Sequence, residues 1–317
     1  MRYGIIIGLG AGLASALLFY SAARGSPTIG TILVLLTPLP SMLAGLGWGW
    51  LPAALGALAG SALMAAVASL PFAIGYFLAL GAPVALVAYL TYLSRPHPHD
   101  AAQREWYPAG RLVAALSLYG GTLPLMVLPL IGGTYEMLRA PMGEFLRRLS
   151  ARAAPDLGIP QLTDVQVDAL AELFVYILPG AVAAYWLGIF ALNLYLAGRV
   201  ARASGRLGRD WPDLSSLAYP LGFQILLALA LAATFLPGVL GVAGVGLSGA
   251  LLLAYFFAGL ALVHCIARTR APWILWLVYV GVFFIEPYTA ILLMLAGLLE
   301  PVLKLRQRFG QIPPPTT

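Results

Sequence analysis

Between Thr28 and Ser94 the chain runs for 67 residues without a single Asp, Glu, Lys, Arg or His. Water cannot solvate so long an apolar segment as one stable soluble element, whereas a lipid bilayer can. About 20 helical residues cross the hydrocarbon layer, so the run is interrupted. Pro38-Leu39-Pro40, Trp48-Gly49-Trp50 and Leu70-Pro71 are the breakpoints. The expected spans are Thr28–Leu46, Trp50–Leu70 and Pro71–Leu93. With an uncleaved first span over Tyr3–Ser21, residues 1–94 form a four-span subbundle. In that first span Gly4, Gly8, Gly12 and Ala16 recur every fourth residue, a small-residue stripe on which another membrane helix packs.

Only 9% of the chain is charged, against about 25% in soluble domains. The sequence therefore predicts one all-α integral membrane domain over residues 1–317. It is a polytopic helical bundle of about 8–10 membrane segments, some broken at Pro or Gly. Further spans are expected at Arg111–Ile131, Ala169–Leu196, Leu217–Leu236 and Val245–Ala267. Residues 273–303 are too long for one upright crossing and short for two, and read as a hairpin broken at Glu286-Pro287. That reading puts Lys304, Arg306 and Arg308 on the same side as Arg199, Arg202, Arg206, Arg209, Arg268 and Arg270. Lys/Arg-rich loops favour the cytoplasm, so both termini are expected there. The net charge of +6 is read as this loop bias, not as nucleic-acid binding.

Residues 136–160 differ in kind. Leu138, Met142, Phe145 and Leu149 make one apolar stripe between arginines and acids, the pattern of an amphipathic helix in the interface or on the mouth of the bundle. Thr163 and Gln166 match a capping box that starts the next helix. Segment 95–108 reads as a polar loop, with His97 and His99 in a solvated Pro-rich turn. Trp106 and Tyr107 are its interfacial anchor.

No soluble-enzyme motif is present, and the lone Cys265 excludes an intrachain disulfide. No catalytic residue, cofactor or metal is expected. Glu286 is either a functional intramembrane acid or the tip of the hairpin, and the sequence leaves both open. His264, near the inner face, reads as interfacial, and Glu300 is placed to pair with Lys304. Pro38, Pro40, Trp48, Trp50, Tyr279, Glu286 and His264 are the ligand-binding candidates. Gly8, Gly12 and Ala16 are the candidates for packing on a partner helix.

Four blocks carry a family resemblance: Pro38-Leu-Pro-Ser-Met-Leu-Ala-Gly45, Glu105-Trp-Tyr-Pro-Ala-Gly-Arg111, Gly259-Leu-Ala-Leu-Val-His264 and Gly297-Leu-Leu-Glu300 up to Arg306. On these the chain resembles the YybS-like bacterial multi-pass membrane proteins, a domain of unknown function. The resemblance implies the bacterial inner membrane and no established activity. The first four spans are also similar to the substrate-binding subunits of energy-coupling-factor vitamin transporters. In those the first-helix stripe, here Gly8, Gly12 and Ala16, meets a coupling subunit.

Three functions follow as expectations. The first is a protein that binds or transports a small molecule. The alternative is a structural or partner-binding membrane protein of the cell envelope, in a stable homo-oligomer or with a membrane partner. The lesser alternative is a lipid-acting intramembrane enzyme, which needs at least two acids or histidines converging at one depth.

Overall fold

The computed structural model describes residues 2–22, 24–97, 100–131, 135–158, 160–269, 272–285 and 287–309. Glu286 and His99 lie outside the described residues. The described residues are 83% helical with almost no sheet, as the apolar runs demand. The uncharged run becomes α2 (Pro27–Leu36), α3 (Leu39–Trp48), α4 (Trp50–Val67), α5 (Leu70–Tyr76), a π-helical turn at Phe77–Gly81 and α6 (Ala82–Thr91). Before it stands α1 (Arg2–Ala22). The polar loop expected at 95–108 is instead an antiparallel hairpin, β1 (Ser94–His97) and β2 (Asp100–Trp106). Then come α7 (Ala109–Val127), α8 (Arg139–Leu157) and α9 (Asp164–Ala203). The chain ends with α10 (Phe223–Ala233), α11 (Gly238–Thr269), α12 (Trp273–Phe284), α13 (Tyr288–Leu303) and α14 (Leu305–Phe309).

Among the described residues, seven helical segments are long and apolar enough to cross a membrane, and α10, α12 and α13 are shorter apolar helices. The outward faces are apolar too: Ile6 on α1, Ile225 on α10 and Trp276 on α12 are each more than 60% exposed. A surface of that kind contacts the lipid bilayer.

Three sequence-expected spans changed length markedly, Val245–Ala267 becoming the 32-residue α11. Leu217–Leu236 shrinks to the 11 residues of α10, about 16 Å of rise, because Gly222 adopts φ +87° and the chain before it is not helical. The span expected at Ala169–Leu196 instead lengthens to the 40-residue α9, about 60 Å. Its start is the expected capping box: the Thr163 hydroxyl accepts from the Gln166 N–H, and the Gln166 side chain accepts from the Thr163 N–H at 2.9 Å.

Backbone contact holds the helices together. An added Cβ on Gly12 would overlap the backbone of Gly56, and one on Gly8 that of Pro52, so α1 and α4 touch main chain to main chain. The same relation joins Gly249 of α11 to Gly180 of α9, and Gly259 of α11 to Leu293 of α13. Dispersion at this range substitutes for the hydrophobic drive that a bilayer removes between helices. The stripe Gly8, Gly12, Ala16, offered by the sequence to a partner helix, is therefore filled by α4 and its neighbours of the same chain; Ala16 is fully buried.

Prolines inside spans free backbone carbonyls, and named side chains take them up. Pro83 cannot donate to the carbonyls of the π turn before it. Trp186 Nε1 donates to Ala79 O at 2.6 Å and the Tyr119 hydroxyl to Leu78 O at 2.6 Å. Trp186 stacks on Phe190, with centroids 4.1 Å apart, in the middle of the core. At the Pro38/Pro40 break, the buried Asn193 amide donates to Leu35 O at 2.6 Å and the Thr37 hydroxyl to Leu33 O at 2.8 Å.

Beyond α11 the chain reverses. Gly281 of α12 abuts Thr289 of α13, so the two short helices fold back on each other rather than forming one rod. Gln224 of α10 donates to Leu298 O of α13 at 3.1 Å. Lys304 then turns left-handed (φ +50°) and sends Arg306 back to donate to Leu217 O at 2.7 Å. That turn corrects the expected Glu300–Lys304 pair: Glu300 pairs with Arg306, its Oε1 3.7 Å from Arg306 Nε and 3.1 Å from the Arg306 backbone N.

Candidate functional site

One end of the bundle gathers residues that are far apart in the chain. Arg206 lies over Trp48, 5.2 Å from the ring centre, and Gly4 of α1 abuts the same Trp48. Arg209 stands 5.7 Å over Trp106 and donates through Nη1 to Thr91 O (3.1 Å) and Tyr107 O (3.2 Å). The Tyr92 hydroxyl bonds Leu46 O and accepts from the Gly208 N–H. These contacts clamp the loop after α9 onto the ends of α3, α6 and β2.

Between that loop and α7 lies an open groove of about 420 Å³. One wall is β2 and the first turn of α7, with Glu105, Trp106 and Arg111; the other is the 209–221 segment, with Arg209, Asp213 and Tyr219. The walls meet where the Ala218 carbonyl sits against the Cα of Gly110, a position with no room for a side chain. Tyr219 is fixed by its hydroxyl, which donates to Ala254 O at 2.6 Å, and by Tyr255 packed edge-on at 5.7 Å. The groove is thus apolar at Trp106, Leu217, Tyr219 and Leu221 and charged along its rim.

Both rim carboxylates are already engaged. Arg95 makes two bonds to Glu105, at 2.7 and 3.1 Å, and holds it below the ordinary glutamate range. Asp213 accepts from the Ser215 N–H and hydroxyl and from Arg268 at 3.1 Å. Burial by itself would raise its pKa; the Ser215 bonds and the Arg268 charge outweigh that and leave it lowered. The folded value therefore lies below the ordinary 3.8, so this tether contributes above about pH 3.8 and is lost as pH falls through the folded value. We expect Asp213→Asn to lower unfolding stability near neutral pH by about 1 kcal/mol or less, since the pair is half exposed. Thermal unfolding from pH 7 to pH 3 checks this, and a gap between variant and wild type that does not close toward pH 3 contradicts it.

The sequence-predicted candidates among the described residues do not line this groove. Pro38 and Pro40 start α3, where Asn193 and Thr37 supply donors to neighbouring carbonyls. Trp48 caps the end of α3 beneath Arg206, and Trp50 packs edge-on against Tyr89 at 6.0 Å, across Gly49 with φ +102°. His264 and Tyr279 form a separate pair. His264 Nδ1 faces Leu260 O at 2.8 Å and so carries the proton, leaving Nε2 to accept from the Tyr279 hydroxyl at 3.2 Å. That pair is a satisfied bridge between α11 and α12. Sequence reasoning missed the groove, although two of its parts were visible: the Glu105–Arg111 block and the arginine run ending at Arg209.

The architecture is that of a multi-pass α-helical membrane protein with an open, charge-rimmed groove at the end of the bundle. Residues 13–300 match the family described as predicted membrane protein (DUF2232), and the chain belongs to that family, in accord with the YybS-like resemblance. No curated protein and no solved structure matches it.

Proposed function

We propose that this protein binds a small molecule at the membrane boundary, in the groove between β2, the first turn of α7 and the 209–221 segment. The observation that supports this reading is the groove itself: apolar walls and charged rim, held open by main-chain contact at Gly110–Ala218 and the Tyr219 anchor. The rival reading, a scaffold for partner subunits, drew on the small-residue faces, and those are occupied within the chain. On this proposal the arginine-rich end faces the cytoplasm of a bacterial cell, with both termini on that side, and the binding step serves uptake or delivery at the inner membrane.

Native mass spectrometry of the full chain released from its own membrane tests the proposal. A small molecule is expected to co-purify, and Ala109→Trp, which fills the groove from the α7 side, is expected to reduce its occupancy at least tenfold. Tyr279→Phe, at the separate α11–α12 bridge, is expected to leave it unchanged. Equal occupancy in Ala109→Trp and wild type sinks the proposal.

A further inference from the structure

Resting on that reading, the charges around the groove name the class of ligand. Four charged side chains bear on it: Glu105, Arg111, Arg209 and Asp213. The two acids are taken by arginines from outside its lining, Glu105 by Arg95 and Asp213 by Arg268. The two cations are not matched in this way. The hydrogen bonds of Arg209 go to the backbone carbonyls of Thr91, Tyr107 and Asp210, and the Asp210 carboxylate acts on it only through space. Arg111 is exposed and makes no hydrogen bond or ion pair among the described residues; it acts only through space, on the already paired Glu105. The first turn of α7 contributes the positive end of a 19-residue helix to the same wall. The groove therefore carries two cations without a bonded carboxylate beside four apolar side chains.

The open edge of the groove is apolar. Leu221 is 95% exposed, and beyond it Ile225 and Leu229 of α10 are 65% and 63% exposed along the lipid-facing side. An alkyl chain leaving the groove over Leu221 passes directly onto that surface, without crossing water. A soluble anion leaves this apolar half unused.

We infer that the groove takes the anionic phosphate headgroup of a membrane lipid, bound between Arg111 and Arg209, with its alkyl chains running out over Leu221 along α10. No covalent step is involved. Arg111 supplies a point of attraction and makes no hydrogen bond or ion pair among the described residues, whereas Arg209 both positions the loop and faces the ligand.

The test uses the full chain in nanodiscs of phosphatidylcholine, with lipid retention read by native mass spectrometry. Three additives separate the sources: phosphatidic acid, diacylglycerol with the same chains, and glycerol phosphate without chains. Phosphatidic acid is expected to be retained, and the other two not. Arg111→Glu is expected to reduce that retention at least tenfold while melting as wild type does. Arg202→Glu, exposed at the same basic end and outside the groove, is expected to change retention less than twofold, which excludes a general surface field. Equal retention of diacylglycerol, binding of glycerol phosphate alone, or unchanged retention in Arg111→Glu overturns the inference. If Ala109→Trp still abolishes ligand binding in such a case, the groove stands and only the ligand class is wrong. If Ala109→Trp retains phosphatidic acid as wild type does, the groove itself is refuted.

Discussion

Gly12→Leu should abolish the folded bundle, while Gly10→Leu, two residues away on the same helix, should leave it intact. A side chain at Gly12 meets the Gly56 backbone of α4, and no flexible group stands there to give way. At Gly10 no described atom beyond the helix's own neighbouring backbone lies within 4 Å of the position a Cβ would take. Overpacking against movable side chains costs about 1–3 kcal/mol, so a clash with main chain belongs at or above the upper end of that range. The helices also lose the close approach that provides their dispersion contact, and in lipid no hydrophobic gain offsets that loss. The measurement is thermal unfolding in mild detergent with the monodisperse yield alongside it. Equal behaviour of the two variants refutes the account of α1–α4 packing.

Arg306→Met should destabilise the C-terminal end by about 3–5 kcal/mol, the usual result of leaving one partner of a buried ion pair alone. The Arg306 and Glu300 side chains are only 8% and 15% exposed. Among the described residues Glu300 Oε2 and Arg306 Nη1 have no hydrogen-bond partner, so the pair is incompletely compensated even when whole. For that reason the double variant Glu300→Gln with Arg306→Met should recover most of the loss. Protease cleavage after α13 and the unfolding midpoint both report it. A double variant as unstable as the single would show that the loss comes from Arg306 packing rather than from an orphaned carboxylate.

Much of the fold was legible in the sequence because the signals are local. Hydropathy along 67 uncharged residues set the solvent, since a bilayer is the one medium that accepts it. The fourfold repeat of Gly4, Gly8, Gly12 and Ala16 marked a close-packing face, but not whose helix would fill it. The Thr163–Gln166 pair marked the start of α9 because a capping box needs only four consecutive residues. Glu300 shows the limit of such rules: the i, i+4 pattern pointed to Lys304, and a left-handed turn at Lys304 delivered Arg306 instead.

The sequence by itself determined that this chain lives in lipid, crosses it many times as helix, and gathers most of its arginines between its apolar runs or at their ends. Those properties follow from composition and spacing within one helix turn or one span. Tertiary structure alone decided that Asn193 reaches Leu35 and Trp186 reaches Ala79, and that Arg209 closes over Trp106 to make a groove. Each of these pairs joins groups more than 100 residues apart. A donor's identity says that it must find an acceptor where water is scarce, but only the packed backbone fixes which acceptor comes within reach.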